Sequence, residues 1–454
     1  MAKNVDATQG NLIKHIFVYT IPLIISIVVQ TLFVIADRAV LGNMAGSAAV
    51  AAIGATSGAV TSLITNGAMG LATGTTIILA RFAGQKNQEK IRQTIDTSLL
   101  TAVGLGAVIA IFGYFFTPVI LTLTKCPSEC YNDAMMYMRI YLFSTPAILV
   151  YNYGSAILRV LGDTKRPLIY ILTAGVVNVV LNIVLCLILS QKVLAVAIAT
   201  LVSHLLSVAM LLWRLCHFDG GYSLRLRSMR FKCDIFTKIL RFGIPSSISK
   251  LVLPLGNLQI VTAINTFGVD AVAGTAAASS VNSMVLAVDS GFSSAATTFM
   301  GQNIGAGKVE RVKKSFWYLL CINVLITGTL GALAFLSGRF WIGLIVGSSS
   351  KNAIDFGMQR MFYVTLLIFI SAANSILTSA LQAFGYPLLI SVTNIFFNLG
   401  FRVMWMQFIY PQRADFATIM LCFPVSWLLN MLFYAIFFTV VYIRYTKKGI
   451  CKKI

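Results

Sequence analysis

Four ionisable residues stand in stretches of this chain that are otherwise apolar: Asp37, Lys250, Asp289 and Arg402. A charge inside bilayer hydrocarbon costs at least about 2.5–3.5 kcal/mol, so each demands a chemical reason. Asp37 closes the run Gln30-Thr-Leu-Phe-Val-Ile-Ala-Asp37 and precedes Arg38. Gln30 and Asp37 lie two helical turns apart and share a face. A lone carboxylate in an apolar cleft can hold a proton or a cation and exchange one for the other, because desolvation penalises the bare anion. The alternative is an interfacial Asp37 paired with Arg38. Asn178 and Asn182 form a second same-face pair, and Thr200, Ser203 and His204 interrupt a further apolar run. Buried amides and hydroxyls need partners. These residues serve either as interhelical hydrogen-bonding groups or, if they face Asp37, as partners of its ionised form or oxygen ligands for a cation. Asp289 reads as a counter-ion for Lys250 or as a substrate contact. Arg402, Asn257, Gln259, Asn282 and Gln30 are further candidates to line a substrate cleft.

The elements that carry these residues follow from composition. The chain has 454 residues, of which 58% are hydrophobic and 11% charged. Its mean hydropathy is +0.85. A soluble domain carries about 25% charged residues. The composition therefore excludes a soluble enzyme, a disordered protein and a nucleic-acid binder, despite a net charge of +21. At about 38 residues per helix and loop, the chain has room for roughly twelve membrane spans. The apolar runs are continuous, which excludes the alternating pattern of a β-barrel. Spans are predicted at 14–40, 48–79, 94–116, 134–157, 168–189, 193–213, 243–266, 271–299, 316–337, 353–379, 388–409 and 416–443. The fold class is an all-α polytopic membrane protein.

Charge then gives orientation. Of the 35 Lys and Arg, 25 fall on the side that holds both termini and 8 on the other, with Lys250 and Arg402 inside spans. Positive charge marks the cytoplasmic side. Both termini are thus expected in the cytoplasm, with the chain in the cell's inner (plasma) membrane. The polar N-terminus leads straight into a span, so no cleaved signal is expected.

The two halves repeat. Pro22 and Pro245 open the first and seventh spans, and Gly84-Gln85 and Gly301-Gln302 follow the second and eighth. Leu158-Arg-Val-Leu-Gly162 with Pro167 matches Leu381-Gln-Ala-Phe-Gly385 with Pro387. These landmarks lie 217–223 residues apart. Six spans per half give both halves the same topology, as in two-lobed transporters. The predicted domains are a six-helix lobe over 1–213, a cytoplasmic loop over 214–242 and a second lobe over 243–454.

Other signals fail. Gly301-Gln-Asn-Ile-Gly-Ala-Gly307-Lys308 resembles a phosphate-binding loop, but Gln302 replaces its first Gly and Val309 its Ser/Thr. No ATP-binding domain and no nucleic-acid partner are expected. Three His without an HExxH pattern argue against a metal centre. No nucleophile–base set lies within the spans, so no enzyme is expected. Cys126-Pro-Ser-Glu-Cys130 could hold a disulfide or two free thiols.

The order Pro22, Gln30, Asp37, Gly84-Gln85, Leu158-Arg-Val-Leu-Gly-Asp-Thr-Lys-Arg-Pro167, Asn178, Asn182 and Gly301-Gln-Asn-Ile-Gly-Ala-Gly-Lys308 resembles the multidrug and toxic compound extrusion family, bacterial type. The resemblance covers essentially the whole chain. It implies twelve helices in two pseudo-symmetric six-helix lobes around a central cleft. It also implies export of mainly cationic, amphipathic small molecules from the bilayer-embedded cleft, in exchange for H⁺ or Na⁺. No other cofactor is implied, and the chain is expected to function as a monomer. On the family pattern Asp37 is the coupling carboxylate, with Asn178, Asn182 and Thr200 completing a cation site. The second of these positions is often Asp in the family and is Asn182 here. The branch with acids in the seventh and tenth spans is not matched, since Lys250, Ser371 and Asn374 stand there. Both departures favour protons over sodium. A lipid-linked oligosaccharide flippase of the same superfamily is the competing reading; such proteins often have fourteen spans and strongly basic cavities.

Overall fold

Backbone N–H and C=O groups cannot stay bare in hydrocarbon, and a helix satisfies them all within one segment. The computed structural model is accordingly helical, with no strand among the described residues. It describes residues 6–51, 58–123, 131–218, 223–347 and 350–448. Within these, the side chains of 34–39, 41–51, 58–62, 123, 226, 253–255, 258 and 448 are not described. Asp37, Arg38 and the pair Cys126 and Cys130 therefore lie outside the described side chains.

Twelve long rods follow one another among the described residues. The first nine are α1 (Leu12–Ala51), α2 (Gly58–Gly84), α3 (Gln88–Leu123), α4 (Tyr131–Val160), α5 (Lys165–Ile188), α6 (Lys192–Cys216), α7 (Cys233–Asn265), α8 (Val269–Gly305) and α9 (Val309–Leu336). A short helix, α10 (Gly338–Val346), comes next, where the sequence predicted a loop. The tenth rod joins α11 (Lys351–Arg360), a π turn (Met361–Leu366) and α12 (Ile368–Ala383). The eleventh joins α13 (Pro387–Asn394), a π turn (Ile395–Gly400), α14 (Phe401–Met404) and a second π turn (Trp405–Ile409). The last is α15 (Phe416–Lys448). Ten of the rods contain an apolar stretch long enough to cross a bilayer. Each predicted span falls mainly on one rod, in order, but the first residues of the second, 48–51, belong to α1, and several helices outrun their spans. α1 continues to Ala51 and α8 to Gly305, because helix persists beyond the apolar run. Large apolar side chains stay exposed on the rods, Leu336 at 78% and Ile188 at 72%, as a lipid-facing surface requires.

The chain forms two compact units. Unit 1 takes in Met1–Asp6 and Ile21–Ser247; unit 2 takes in Ala7–Thr20 and Ile248–Ile454. The divisions fall inside α1 and α7, not at the predicted loop over 214–242. That loop is tied to unit 1: Lys232 N donates to Thr97 Oγ1 at 3.2 Å and Arg92 Nη2 to Ser228 Oγ at 3.1 Å. In unit 1, α4 packs against α2, α3 and α6, and α5 against α6. In unit 2, α8 packs against α9, α11 and α12, and α12 against α15. Small residues allow the closest approaches, since lipid supplies no hydrophobic drive between helices. A Cβ on Gly274 would lie 1.9 Å from Ala353 O.

The repeat is visible in backbone geometry. Gly162 and Gly385 both adopt left-handed φ, +88° and +89°. In the first, Gly162 N donates to Arg159 O and Asp163 N to Leu158 O; in the second, Gly385 N donates to Gln382 O and Tyr386 N to Leu381 O. This crossed pair of bonds closes a helix with a residue that only glycine adopts cheaply. The α2–α3 and α8–α9 turns match as well, with Lys86 and Gly307 at φ 55° and 70°.

Candidate functional site

In unit 1 the structure places Asn178 and Asn182 on one buried face of α5, exposed by 6% and 0%. Asn182 Nδ2 donates to Asn178 Oδ1 at 3.2 Å. Thr200, half-buried on α6, donates its hydroxyl to Val196 O at 2.9 Å and accepts no bond among the described residues. The approach of α1 is fixed one turn away from the amides. Phe33 presses on Gly175 so closely that a Cβ there would lie 1.8 Å from Phe33 Cε2. α1 and α5 are both odd-numbered spans and run in the same direction. Position 37 lies four residues on from Phe33, and Asn178 three on from Gly175. Gln30 is half-buried on the same helix.

Unit 2 holds two separate polar networks. Asp289 on α8 is 7% exposed. Its Oδ1 accepts from Asn323 Nδ2 of α9 at 2.8 Å and from Ser375 Oγ of α12 at 2.5 Å. Thr327 continues the chain by donating to Asn323 Oδ1 at 3.0 Å. Among the described residues, neutral donors from two neighbouring helices hold this carboxyl, which the sequence offered as a counter-ion for Lys250 or as a substrate contact. Asn282, also on α8, is buried with no bond to its Oδ1 among the described residues.

The second network centres on Arg402, which is 2% exposed. Its Nη1 donates to Asn257 Oδ1 at 2.7 Å, so two residues named separately from the sequence meet. Weaker contacts at 3.4 Å reach Asn398 Oδ1 and Ser426 Oγ. The guanidinium sits over the Phe423 ring at 4.8 Å. Sequence reading missed Asn323, Ser375, Asn398 and Ser426. Asn323 carried the same signal as Asn178, an amide in an apolar run; the hydroxyls carried none, because most Ser and Thr in these helices bond their own i−4 carbonyl.

The false phosphate-loop motif has a structural use. Asn303 Nδ2 donates to Ala7 O at 3.2 Å, Ala7 N donates to Gln302 Oε1 at 3.1 Å, and Lys308 Nζ donates to Thr8 O at 2.8 Å. Arg311 adds Ala7 O at 2.8 Å, Gln9 O at 2.6 Å and Gly10 O at 3.0 Å. The motif and Arg311 thereby clasp the backbone that leads into α1. Tyr19 and Thr298 extend the same attachment with a hydroxyl pair at 2.9 Å. Arg311→Ala is expected to raise amide exchange over residues 8–10 about tenfold to a hundredfold, the scale of losing charge-assisted bonds, and to leave α12 unchanged. Equal exchange in both proteins would show that the clasp contributes nothing.

Known proteins converge on one family. The MatE family profile matches residues 22–184 and again 245–405, once in each half. A probable multidrug resistance protein of Bacillus subtilis, YpnP, is 25% identical over 421 residues, 91% of each chain. The probable multidrug resistance protein NorM of Thermotoga maritima is 23% identical over 416 residues, covering 87% of this chain and 89% of that one. Among solved structures, a MOP superfamily transporter of Pyrococcus furiosus superposes with a TM-score of 0.89 at 22% identity, over 99% of this chain and all of that one. These matches carry the twelve-helix architecture and a role in small-molecule transport across the membrane. The chain belongs to the MatE family, the multidrug and toxic compound extrusion transporters.

Proposed function

We propose that the protein exports small amphipathic compounds across the plasma membrane by alternating access, in exchange for a coupling ion taken up at Asp37. The observation that supports this reading is the seating of Phe33 on Gly175, one turn before position 37 on α1 and one turn before Asn178 of the buried amide pair on α5. The outward-facing form takes up the ion at Asp37 and releases the drug. The inward-facing form gives up the ion and takes new substrate from the cytoplasm. Each charge crossing 100 mV contributes about 2.3 kcal/mol, enough to drive one exchange against a useful gradient. The family's cationic class suits this end of the molecule, because a positive substrate and the coupling ion compete for one carboxylate.

The coupling ion is a proton in this reading. A sodium site needs several free oxygens. Asn178 Oδ1 already accepts from Asn182, and the set contains one carboxylate. No further cofactor is proposed, and the unit of function is one chain. Both termini face the cytoplasm, on the strength of the charge bias. The flippase reading is disfavoured: the rods number twelve among the described residues, and the multidrug proteins match along nearly their whole length. Efflux from reconstituted vesicles, measured across a drug panel under a pH gradient alone and a sodium gradient alone, tests the proposal. Export under the pH gradient supports it. Export under neither gradient overturns it, and export under sodium alone replaces the proton.

A further inference from the structure

Arg402 is not the only cation at its site. Arg360, half-buried at the end of α11, places its guanidinium 5.3 Å from the same Phe423 ring that Arg402 covers at 4.8 Å. Two guanidinium groups thus converge on one aromatic side chain. Neither is paired with a carboxylate among the described residues. Of the acids of unit 2, Asp289 is held by Asn323 and Ser375, Asp355 by Arg339 and Asp415 by Arg413, while Asp270 and Glu310 stand in the first turns of α8 and α9. Buried cations are ordinarily paired, since desolvation is otherwise uncompensated. Here Asn257, Asn398, Ser426 and one ring supply only neutral partners.

The site also lies deep in the rods. Arg360 stands nine residues into the rod that starts at Lys351, and Arg402 seven residues before the end of the eleventh rod at Ile409, about 14 Å and about 10 Å of helix rise. Both arginines adjoin π turns, Met361–Leu366 after Arg360 and Ile395–Gly400 and Trp405–Ile409 on either side of Arg402. Such turns inside helices concentrate at functional sites. Asn257 holds Arg402 Nη1 at 2.7 Å. That bond orients the planar fork, the geometry that receives a carboxylate or phosphate through two parallel bonds.

We propose that Arg402 and Arg360 receive an oxyanionic group, a carboxylate or phosphate, carried by the transported molecule. The inference rests on the transporter reading above and deepens it. An added oxyanion supplies the missing negative charge and relieves the repulsion between the two guanidinium groups.

Rhodamine B and its ethyl ester test this, because they differ only in whether the carboxylate is free. Binding of each dye to the purified protein in phosphatidylcholine nanodiscs is read by fluorescence anisotropy. Wild type is expected to prefer the free acid about tenfold or more, the scale of one charge-assisted hydrogen bond pair. Arg402→Gln and Arg360→Gln are each expected to erase most of that preference, and Arg402→Lys to keep part of it. The ratio between dyes, rather than either affinity, guards against partial misfolding, and Arg360→Gln alone decides if the Arg402 variants do not fold. A wild type that binds the ester as tightly as the acid overturns the proposal. So does a preference that survives in both glutamine variants. A preference lost when phosphatidylglycerol is added assigns the arginines to a lipid phosphate and overturns the substrate assignment. None of these readings requires transport, so failure of ion-coupled export leaves them intact.

Discussion

Asp163→Asn is expected to destabilise the protein by about 3 kcal/mol, the lower end for breaking a buried ion pair. Asp163 sits at the left-handed Gly162 turn between α4 and α5 and is 7% exposed. Its Oδ2 meets Arg166 Nη1 at 2.7 Å and Arg214 Nε at 3.7 Å. The two partners differ in weight. The Arg166 side chain is 42% exposed, so water screens most of its attraction. The Arg214 side chain is 8% exposed, held also by His217 O at 2.6 Å and stacked over Phe218 at 4.6 Å. Removing the carboxylate charge leaves that deep guanidinium with weaker compensation. Asparagine keeps the oxygen that accepts from Arg166 N at 3.3 Å, so the start of α5 is spared and the charge is isolated. Denaturant unfolding in detergent micelles gives the energy. The double variant Asp163→Asn, Arg214→Met is expected to recover much of the loss, since a buried pair replaced by apolar groups is often neutral. A single variant within about 0.5 kcal/mol of wild type, the usual range for a surface change, would show that Arg214 does not depend on this carboxylate.

The second large effect is functional. Asp37→Asn is expected to abolish export driven by a pH gradient while leaving drug binding within a few-fold of wild type. Asparagine matches the carboxyl in size but cannot take up and release a proton. The energy of the gradient then has no route into the cycle. A purely positional role for Asp37 would give a different pattern, with weaker binding and slower but still gradient-driven export.

Much of this was legible in the residues. Continuous apolar runs can only become helices in a bilayer, so twelve spans and their order followed from composition and breaks. The repeat was readable because Gly162 and Gly385 must each sit where only a left-handed residue closes the helix. Asn178, Asn182, Asp289 and Arg402 were found because polar groups in apolar runs are conspicuous. Their partners were less so. Asp289 looked complementary to Lys250 by charge, yet sequence gives no distance between helices, and neutral Asn323 and Ser375 took the carboxyl. The meeting of Arg402 with Asn257 was invisible for the same reason, although both residues had been singled out. The π turns flanking Arg402 have no residue signature. The Gly301–Lys308 stretch could be excluded as a nucleotide loop from its residue types, but not assigned its use, in which its amides and cation hold the chain's own backbone. Unit boundaries inside α1 and α7 could not be read either, because helix propensity does not register which neighbours a helix packs against.

Export of an amphipathic cationic dye from vesicles under an imposed pH gradient, compared between wild type and Asp37→Asn, tests the coupling role most directly. The expected result is gradient-driven export by wild type and none above background by the variant, with dye binding retained in both. Gradient-driven export by Asp37→Asn at the wild-type rate would contradict it.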